Sequence, residues 1–183
     1  MKRPAHVVEI FLQPGDFYFG DRDTRIRTVL GSCISITMWH PKLLIGGMCH
    51  YMLPTRKHGK IGALDGRYAD EAMAMFLRDI TAAGTRPAEY EVKLFGGGNM
   101  FFPNSKESCL DWPCAKPMDS SCRNVSCRNE RTALVLAKHY DFNVHASNLG
   151  GEGHRQIFFD IWTGHVWVKH NPITPPINVI ETA

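Results

Sequence analysis

At 183 residues, 44% of them hydrophobic and 21% charged, the chain has the length and balance of one ordinary globular domain, able to bury a core without staples. A net charge of +3, with basic residues such as Arg25, Arg27, Arg56, Lys57 and Lys60 scattered rather than run together, falls short of a nucleic-acid binder's signature, so no nucleic-acid partner is expected. No stretch approaches the roughly eighteen apolar residues of a membrane span, and Val7–Leu12 is too short and too soon broken for a signal peptide. The expectation is a cytoplasmic protein without membrane insertion. Its six cysteines (Cys33, Cys49, Cys109, Cys114, Cys122 and Cys127) then serve chemistry, metal binding or packing rather than disulfides.

In chain order, Val7–Leu12 and Phe17–Phe19 read as β-rich pieces about a turn at Pro14-Gly15-Asp16. In Ile34–Trp39, Ile34, Ile36 and Met38 alternate with Ser35 and Thr37, the pattern of a half-buried strand. His40-Pro41-Lys42-Leu43 suits a turn, because proline pre-sets φ at the second position, and Leu44–Leu53 reads as the returning strand. Tyr68–Ala83 is a helix, with Met73, Phe76, Leu77 and Ile80 on one face and Gly84 as its stop. A short strand, Glu91–Phe95, runs into Gly96-Gly97-Gly98-Asn99. Residues 102–128 are rich in Ser, Pro, Asn and Cys without a period and read as a long surface loop. A second helix, Asn129–Tyr140, presents Ala133, Leu134 and Ala137 on one face. Arg155–Trp162 and His165–Lys169 form a closing hairpin through Thr163-Gly164. The expected fold is α+β: a single layered domain over residues 1–183, with packed mixed or antiparallel β-sheets flanked by helices.

The informative feature is Gly31-Ser32-Cys33 at the head of one strand and Cys49-His50 at the tail of the next. Paired residues of an antiparallel hairpin have a constant sum of numbers. A turn centred between Pro41 and Lys42 makes that sum 83, which sets Cys33 across from His50, with Cβ atoms roughly 5 Å apart. A one-residue slip sends His50 to the other face. A thiol beside an imidazolium or exposed backbone amides shifts toward thiolate, the nucleophilic form. Gly31 and Ser32 let backbone approach a substrate, the Cys33 amide is an oxyanion donor, and the Thr28 hydroxyl is placed to orient the imidazole. The plainer reading makes Cys33 a small buried hydrophobe and His50 a satisfied strand residue, and spacing alone leaves both open.

These stretches resemble the CheD family, the chemoreceptor glutamine deamidases. The resemblance rests on Thr28-Val-Leu-Gly-Ser-Cys33, Gly46-Gly-Met-Cys-His50 followed by Leu53-Pro54, Tyr68-Ala-Asp-Glu-Ala72, Lys93-Leu-Phe-Gly-Gly-Gly-Asn-Met-Phe101, Arg128-Asn129, and Leu149-Gly-Gly151 leading to Arg155 and Phe158. It implies a fold like the catalytic domain of deamidating bacterial toxins, Cys33 as nucleophile, His50 as base, and a threonine before the Gly-Ser-Cys turn. Thr28 is the available candidate, with Arg27 beside it. It further implies, as substrate, specific glutamines on the cytoplasmic helices of methyl-accepting chemotaxis receptors. They are converted to glutamate through a cysteine thioester without metal or organic cofactor, and a CheC-type phosphatase is a further partner.

Two other readings compete within enzymes, a thiol protease and a transglutaminase-like acyltransferase, and one outside them, an adaptor for receptors or for the phosphatase. Cys109, Cys114, Cys122 and Cys127, spaced C-x4-C-x7-C-x4-C, are looser than usual zinc knuckles, so the plainer view is a polar loop with incidental thiols. The glycine run at Gly96 lacks the strand–GxGxxG–helix context of a nucleotide site and reads as a tight bend lining or supporting the cleft. Cys49, on the face away from His50, is read as core.

Overall fold

A computed structural model describes residues 3–56, 62–100, 122 and 124–173. Among these, nine strands form two stacked sheets and two helices cover one of them, an α+β arrangement of three layers. The first sheet has the order β1 (Val8–Phe11), β3 (Thr24–Leu30), β8 (His154–Asp160), β9 (His165–Asn171). The second has the order β2 (Phe17–Gly20), β5 (Ile45–Cys49), β4 (Ile34–His40), β6 (Glu91–Gly96), β7 (Asn143–Leu149). β1–β3 and β6–β7 pair in parallel and the other neighbours antiparallel, so the sheets are mixed. Among the described residues no helix is long and apolar enough to cross a membrane.

Alternation sorts the strand side chains into two cores. Between the sheets lie Ile26 and Leu30 of β3, Met48 of β5, Phe95 of β6, and Ile157 and Phe159 of β8. Behind the second sheet, Ile34, Ile36 and Met38 of β4 pack with Cys49, Tyr51, Val92 and Leu94 against the helices. β4 is therefore buried on both faces, not half-buried as its Ser35 and Thr37 suggest: those two hydroxyl residues turn into the inter-sheet layer.

Helix α1 (Ala69–Ala82) buries the stripe Ala69, Ala72, Met73, Phe76 and Ile80, with Asp70 and Glu71 in its first turn where the helix dipole favours anions. Gly84, at φ 68°, ends it, and Thr85 N–H closes back on the Ile80 carbonyl at 3.1 Å. Helix α2 (Val125–His139) starts four residues before the sequence pattern suggests, because Asn124 caps it by accepting from Cys127 N–H at 3.0 Å. The expected loop 102–128 is thus corrected at its C-terminal end, where residues 125–128 are helical; residues 102–121 lie outside the described residues. Leu134 is exposed, so the buried stripe of α2 is Asn129, Ala133 and Ala137.

The β4–β5 register also differs from expectation. Pairs Thr37↔Met48, Met38↔Gly47, Trp39↔Gly46 and His40↔Ile45 share the sum 85, and so does the isolated bridge Ile34↔Tyr51. The turn is longer than a proline-led two-residue turn. His40 Nδ1 accepts from Lys42 and Leu43 N–H, both at 3.3 Å, and Leu44 adopts φ 53° before Ile45 resumes the strand. A change of two in the sum preserves the face of every side chain, whereas a change of one inverts it.

Candidate active site

Three elements converge on one side of the inter-sheet layer. Thr28 lies on β3 in phase with Ile26 and Leu30, so it faces the second sheet. His50 follows β5 in phase with Met48, and Cys33 precedes β4 and packs against the same inter-sheet cluster. Cys33 and His50 thus stand on one face, but at a diagonal step and not as direct cross-strand partners. By register Cys33 faces position 52 and His50 faces Ser35.

The Thr28–His50 contact crosses the sheets. Thr28 Oγ1 is 2.8 Å from the Leu12 carbonyl oxygen and 2.8 Å from His50 Nδ1. A hydroxyl has one proton and a carbonyl can only accept, so Thr28 donates to Leu12 and accepts from His50 Nδ1–H. The imidazole therefore carries its proton on Nδ1, and Nε2 is left with a free lone pair. Nε2 is buried and has no hydrogen-bond partner. Arg27 points to the opposite face, where its Nε lies 2.9 Å from Glu9 Oε1 and its guanidinium covers the Phe11 ring. Thr28, and not its neighbour, touches the imidazole.

Both candidate reacting groups are held neutral. Burial pushes the His50 imidazole down to about 4, the Leu12 backbone and the Asp16 charge acting the other way. Burial also raises the Cys33 thiol above its ordinary value, against a hydrogen bond from the Ser32 side chain. A preformed thiolate–imidazolium pair, the expectation from spacing, is not favoured; the arrangement is a neutral thiol and a neutral imidazole on the same face of the second sheet. Cys49 is fully buried among the helix-facing core residues, its thiol pushed up to about 12 by burial, which fits packing.

The Gly31-Ser32-Cys33 turn is gripped by its carbonyls. Gly98 N–H donates to the Gly31 oxygen at 2.9 Å and Gly97 N–H to the Cys33 oxygen at 2.8 Å. Gly96, at φ 111°, admits no side chain there, because an added Cβ collides with the Cys33 carbonyl oxygen. The glycine run is thus the bend that supports the turn. Between those two bonds, Asn129 Nδ2 donates to the Ser32 oxygen at 3.0 Å and also to the Met52 oxygen at 2.7 Å. Sequence reasoning assigned Asn129 no role. The available signal was its place four residues before Ala133 and eight before Ala137, an amide on an otherwise apolar helical stripe.

Beneath the glycine run sits a second polar pair that the sequence did not announce. Glu130 and Arg155 are both buried, and each has an atom, Oε2 and Nη1, without a hydrogen-bond partner. Arg155 Nε bonds Asn148 Oδ1 at 2.6 Å, and its Nη2 donates to the Gly150 carbonyl. Burial raises the Glu130 carboxyl to about 7, the Arg155 charge acting against it. Of the four cysteines weighed as a zinc set, Cys122 and Cys127 form a small buried cluster, while Cys109 and Cys114 lie outside the described residues. Among the described residues no group of three or more His, Cys, Asp or Glu side chains is placed to hold a metal ion.

The fold and this geometry define a layered α+β domain with a cysteine and a histidine on the inner face of one sheet and a threonine reaching the histidine from the other. Comparison with known proteins is specific. The family model described as CheD chemotactic sensory transduction matches residues 52–170. The chain is 48% identical over 173 residues to a Pseudomonas syringae pv. tomato protein named "Probable chemoreceptor glutamine deamidase CheD", covering 94% of this chain and 95% of that one. It is 48% identical over 165 residues to a Dechloromonas aromatica protein named "Probable chemoreceptor glutamine deamidase CheD 3", covering 90% and 89%. With a Leptospira interrogans protein of the same designation, numbered 1, it shares 38% over 171 residues, covering 91% and 95%. The chain belongs to the CheD family.

Proposed function

We propose that this protein is a protein-glutamine deamidase, a hydrolase that converts specific glutamines on the cytoplasmic helices of methyl-accepting chemotaxis receptors to glutamate. The observation that carries the reading is the Thr28 hydroxyl, committed to the Leu12 carbonyl, which fixes the His50 proton on Nδ1 and leaves Nε2 bare on the face that holds Cys33. The relatives' names, at 48% identity over nearly the whole chain, supply the substrate class.

In this mechanism Cys33 is the nucleophile and His50 the base. As the Cys33 sulfur bonds to the carboxamide carbon, its proton passes to His50 Nε2, and backbone amides of the Gly31-Ser32-Cys33 turn hold the oxyanion. The imidazolium then protonates the departing nitrogen, which leaves as ammonia with formation of the thioester. Water, deprotonated by the same Nε2, attacks the thioester; the C–S bond breaks, the thiol regains its proton and glutamate is released. Thr28 holds the imidazole in the required tautomer throughout. The chemistry balances without metal or organic cofactor.

Placing the protein in the cytoplasm follows from this substrate, and a CheC-type phosphatase belongs to the reading as a further partner. We also take residues 1–183 as one domain, with the layered sheets similar to the catalytic domain of deamidating bacterial toxins.

The test is mass spectrometry of a receptor-helix peptide incubated with the native protein and with Cys33→Ala. The expected result is a gain of about one dalton per converted glutamine with the native protein alone, the amide-to-acid difference. Deamidation persisting at the native rate in Cys33→Ala overturns the assignment.

A further inference from the structure

The strands β4 and β5 part at the nucleophile turn. Ile34 and Tyr51 exchange both backbone hydrogen bonds, at 3.0 and 2.9 Å, so the next rung of that kind falls on Ser32 and Leu53. It is not made. Leu53 N–H donates instead to the Arg67 carbonyl at 3.0 Å, and its carbonyl accepts from Ala69 N–H at 2.9 Å. One side chain spans the fork: the Asn129 amide places its Nδ2 between the Ser32 and Met52 oxygens. Asn129 is fully buried, and its own backbone carbonyl accepts from the Tyr51 hydroxyl at 2.6 Å.

The direction of this grip has a chemical consequence. In a planar trans peptide the C=O and N–H point opposite ways, so drawing the Ser32 carbonyl toward the Asn129 amide aims the Cys33 N–H to the opposite side of the strand. That side is occupied by the glycine run, which takes the Cys33 carbonyl through Gly97 N–H. A regular ladder returns a carbonyl to the Cys33 N–H. Here Gly96 and Gly97, at φ 111° and 67°, bend away, and among the described residues the Cys33 N–H has no hydrogen-bond partner.

We propose that Asn129 is a positioning residue for the amide hydrolysis: its bridge between the Ser32 and Met52 carbonyls sets the Cys33 N–H as the oxyanion donor and fixes the nucleophile turn against the segment that carries His50. This rests on the deamidase reading with Cys33 as nucleophile. Asn129 touches no substrate. It acts on the tetrahedral intermediate through the peptide it holds, so its loss falls on kcat and leaves KM and intrinsic thiol reactivity in place.

The experiment compares native protein, Asn129→Ala and Asn129→Asp in three readouts: ammonia release from a receptor-helix peptide, alkylation of Cys33 by iodoacetamide, which needs no oxyanion donor, and thermal unfolding. Expected is a fall in kcat of about 10- to 100-fold, less than the full loss of an oxyanion donor, with KM and alkylation rate each within about threefold of native. Native kcat in both variants overturns the proposal, and so does an alkylation rate that falls in step with kcat. Should neither variant fold, the native chain decides it. An aldehyde in place of the glutamine carboxamide adds the Cys33 thiol, and the new oxygen should move the Cys33 amide proton downfield in the NMR spectrum. An unmoved Cys33 amide in a formed adduct overturns the proposal. A native protein that releases no ammonia, like Cys33→Ala, defeats the deamidase reading itself, whereas an active native protein with equally active Asn129 variants defeats only the role of Asn129.

Discussion

Thr28 Oγ1 and His50 Nδ1 lie 2.8 Å apart, a side-chain hydrogen bond that joins one sheet to the other. Because the same hydroxyl donates to Leu12, this bond selects one of two imidazole tautomers. Thr28→Val keeps the shape and removes the acceptor, so the ring is free to place its proton on Nε2, where it cannot receive the thiol's. Ammonia release by Thr28→Val should fall about 100-fold in kcat, Thr28→Ser should keep most of the native rate, and Arg27→Ala should be near native. A Thr28→Val enzyme as fast as native removes the hydroxyl from the mechanism.

The neutral thiol and neutral imidazole make a distinct pH signature. A preformed ion pair gives a bell, active only between the two ionisations, and a thiolate that alkylates readily at low pH. With the His50 imidazole pushed down to about 4 and the Cys33 thiol raised, kcat/KM should instead be level across neutral pH and decline only in acid. Iodoacetamide alkylation of Cys33 should rise toward alkaline pH with no plateau below neutrality. The sign for stability follows from the same shift. The folded imidazole titrates below its ordinary 6.5, so its contribution is whole above that value and is lost as pH falls from there toward 4. A rapid alkylation plateau at pH 5 contradicts the neutral pair.

Much of this arrangement is legible in the residues, and what is not has identifiable physical causes. The alternation of Ile34, Ile36 and Met38, the stripe of α1 and the Thr163-Gly164 corner of the β8–β9 hairpin each follow from side-chain period and turn chemistry, and the structure has them within one or two residues. β7 escapes because Asn143–Leu149 is a largely exposed edge strand, and exposure erases the apolar alternation by which a strand is read. The start of α2 escapes because its Asn124 cap sits inside a stretch whose composition resembles loop. The hairpin sum is off by two because one histidine ring nitrogen supplies the turn with an acceptor that no turn rule based on proline anticipates. Cys33 and His50 still share a face, since face depends only on parity. Asn129 depends on a contact across roughly a hundred residues of chain, which pattern within one helix cannot specify.

The glycine run should tolerate no side chain under the Gly31-Ser32-Cys33 turn. Gly96 combines φ 111° with a Cβ position occupied by the Cys33 carbonyl oxygen, and Ile34 Cα lies only 3.2 Å away. Gly84, at φ 68°, faces open space. Gly84→Ala therefore carries only the left-handed backbone cost, on the order of 1 kcal/mol, while Gly96→Ala adds a backbone collision. In urea unfolding Gly96→Ala should lose at least twice the stability lost by Gly84→Ala, and its Cys33 should be displaced enough to abolish turnover. Equal midpoints for the two variants are incompatible with the close approach at Gly96.

Glu130 carries a pH dependence opposite to that of His50. Its carboxyl is raised to about 7 by burial, with the Arg155 charge only partly offsetting the cost, so the native state prefers the protonated acid. Stability from this group is complete below its ordinary 4.5 and drains away as pH rises through about 7. Glu130→Gln replaces the acid by a neutral group of the same shape. It should match the native protein at pH 5 and exceed it at pH 8 by on the order of 2 kcal/mol, read from urea midpoints at the two pH values. Arg155→Met should do the reverse of a simple ion-pair deletion and cost stability at both, because the Asn148 oxygen and the Gly150 carbonyl lose their donor whatever the state of Glu130. If Glu130→Gln shifts stability equally at pH 5 and pH 8, the carboxyl is already ionised throughout, and the polar pair beneath the glycine run is an ordinary salt bridge.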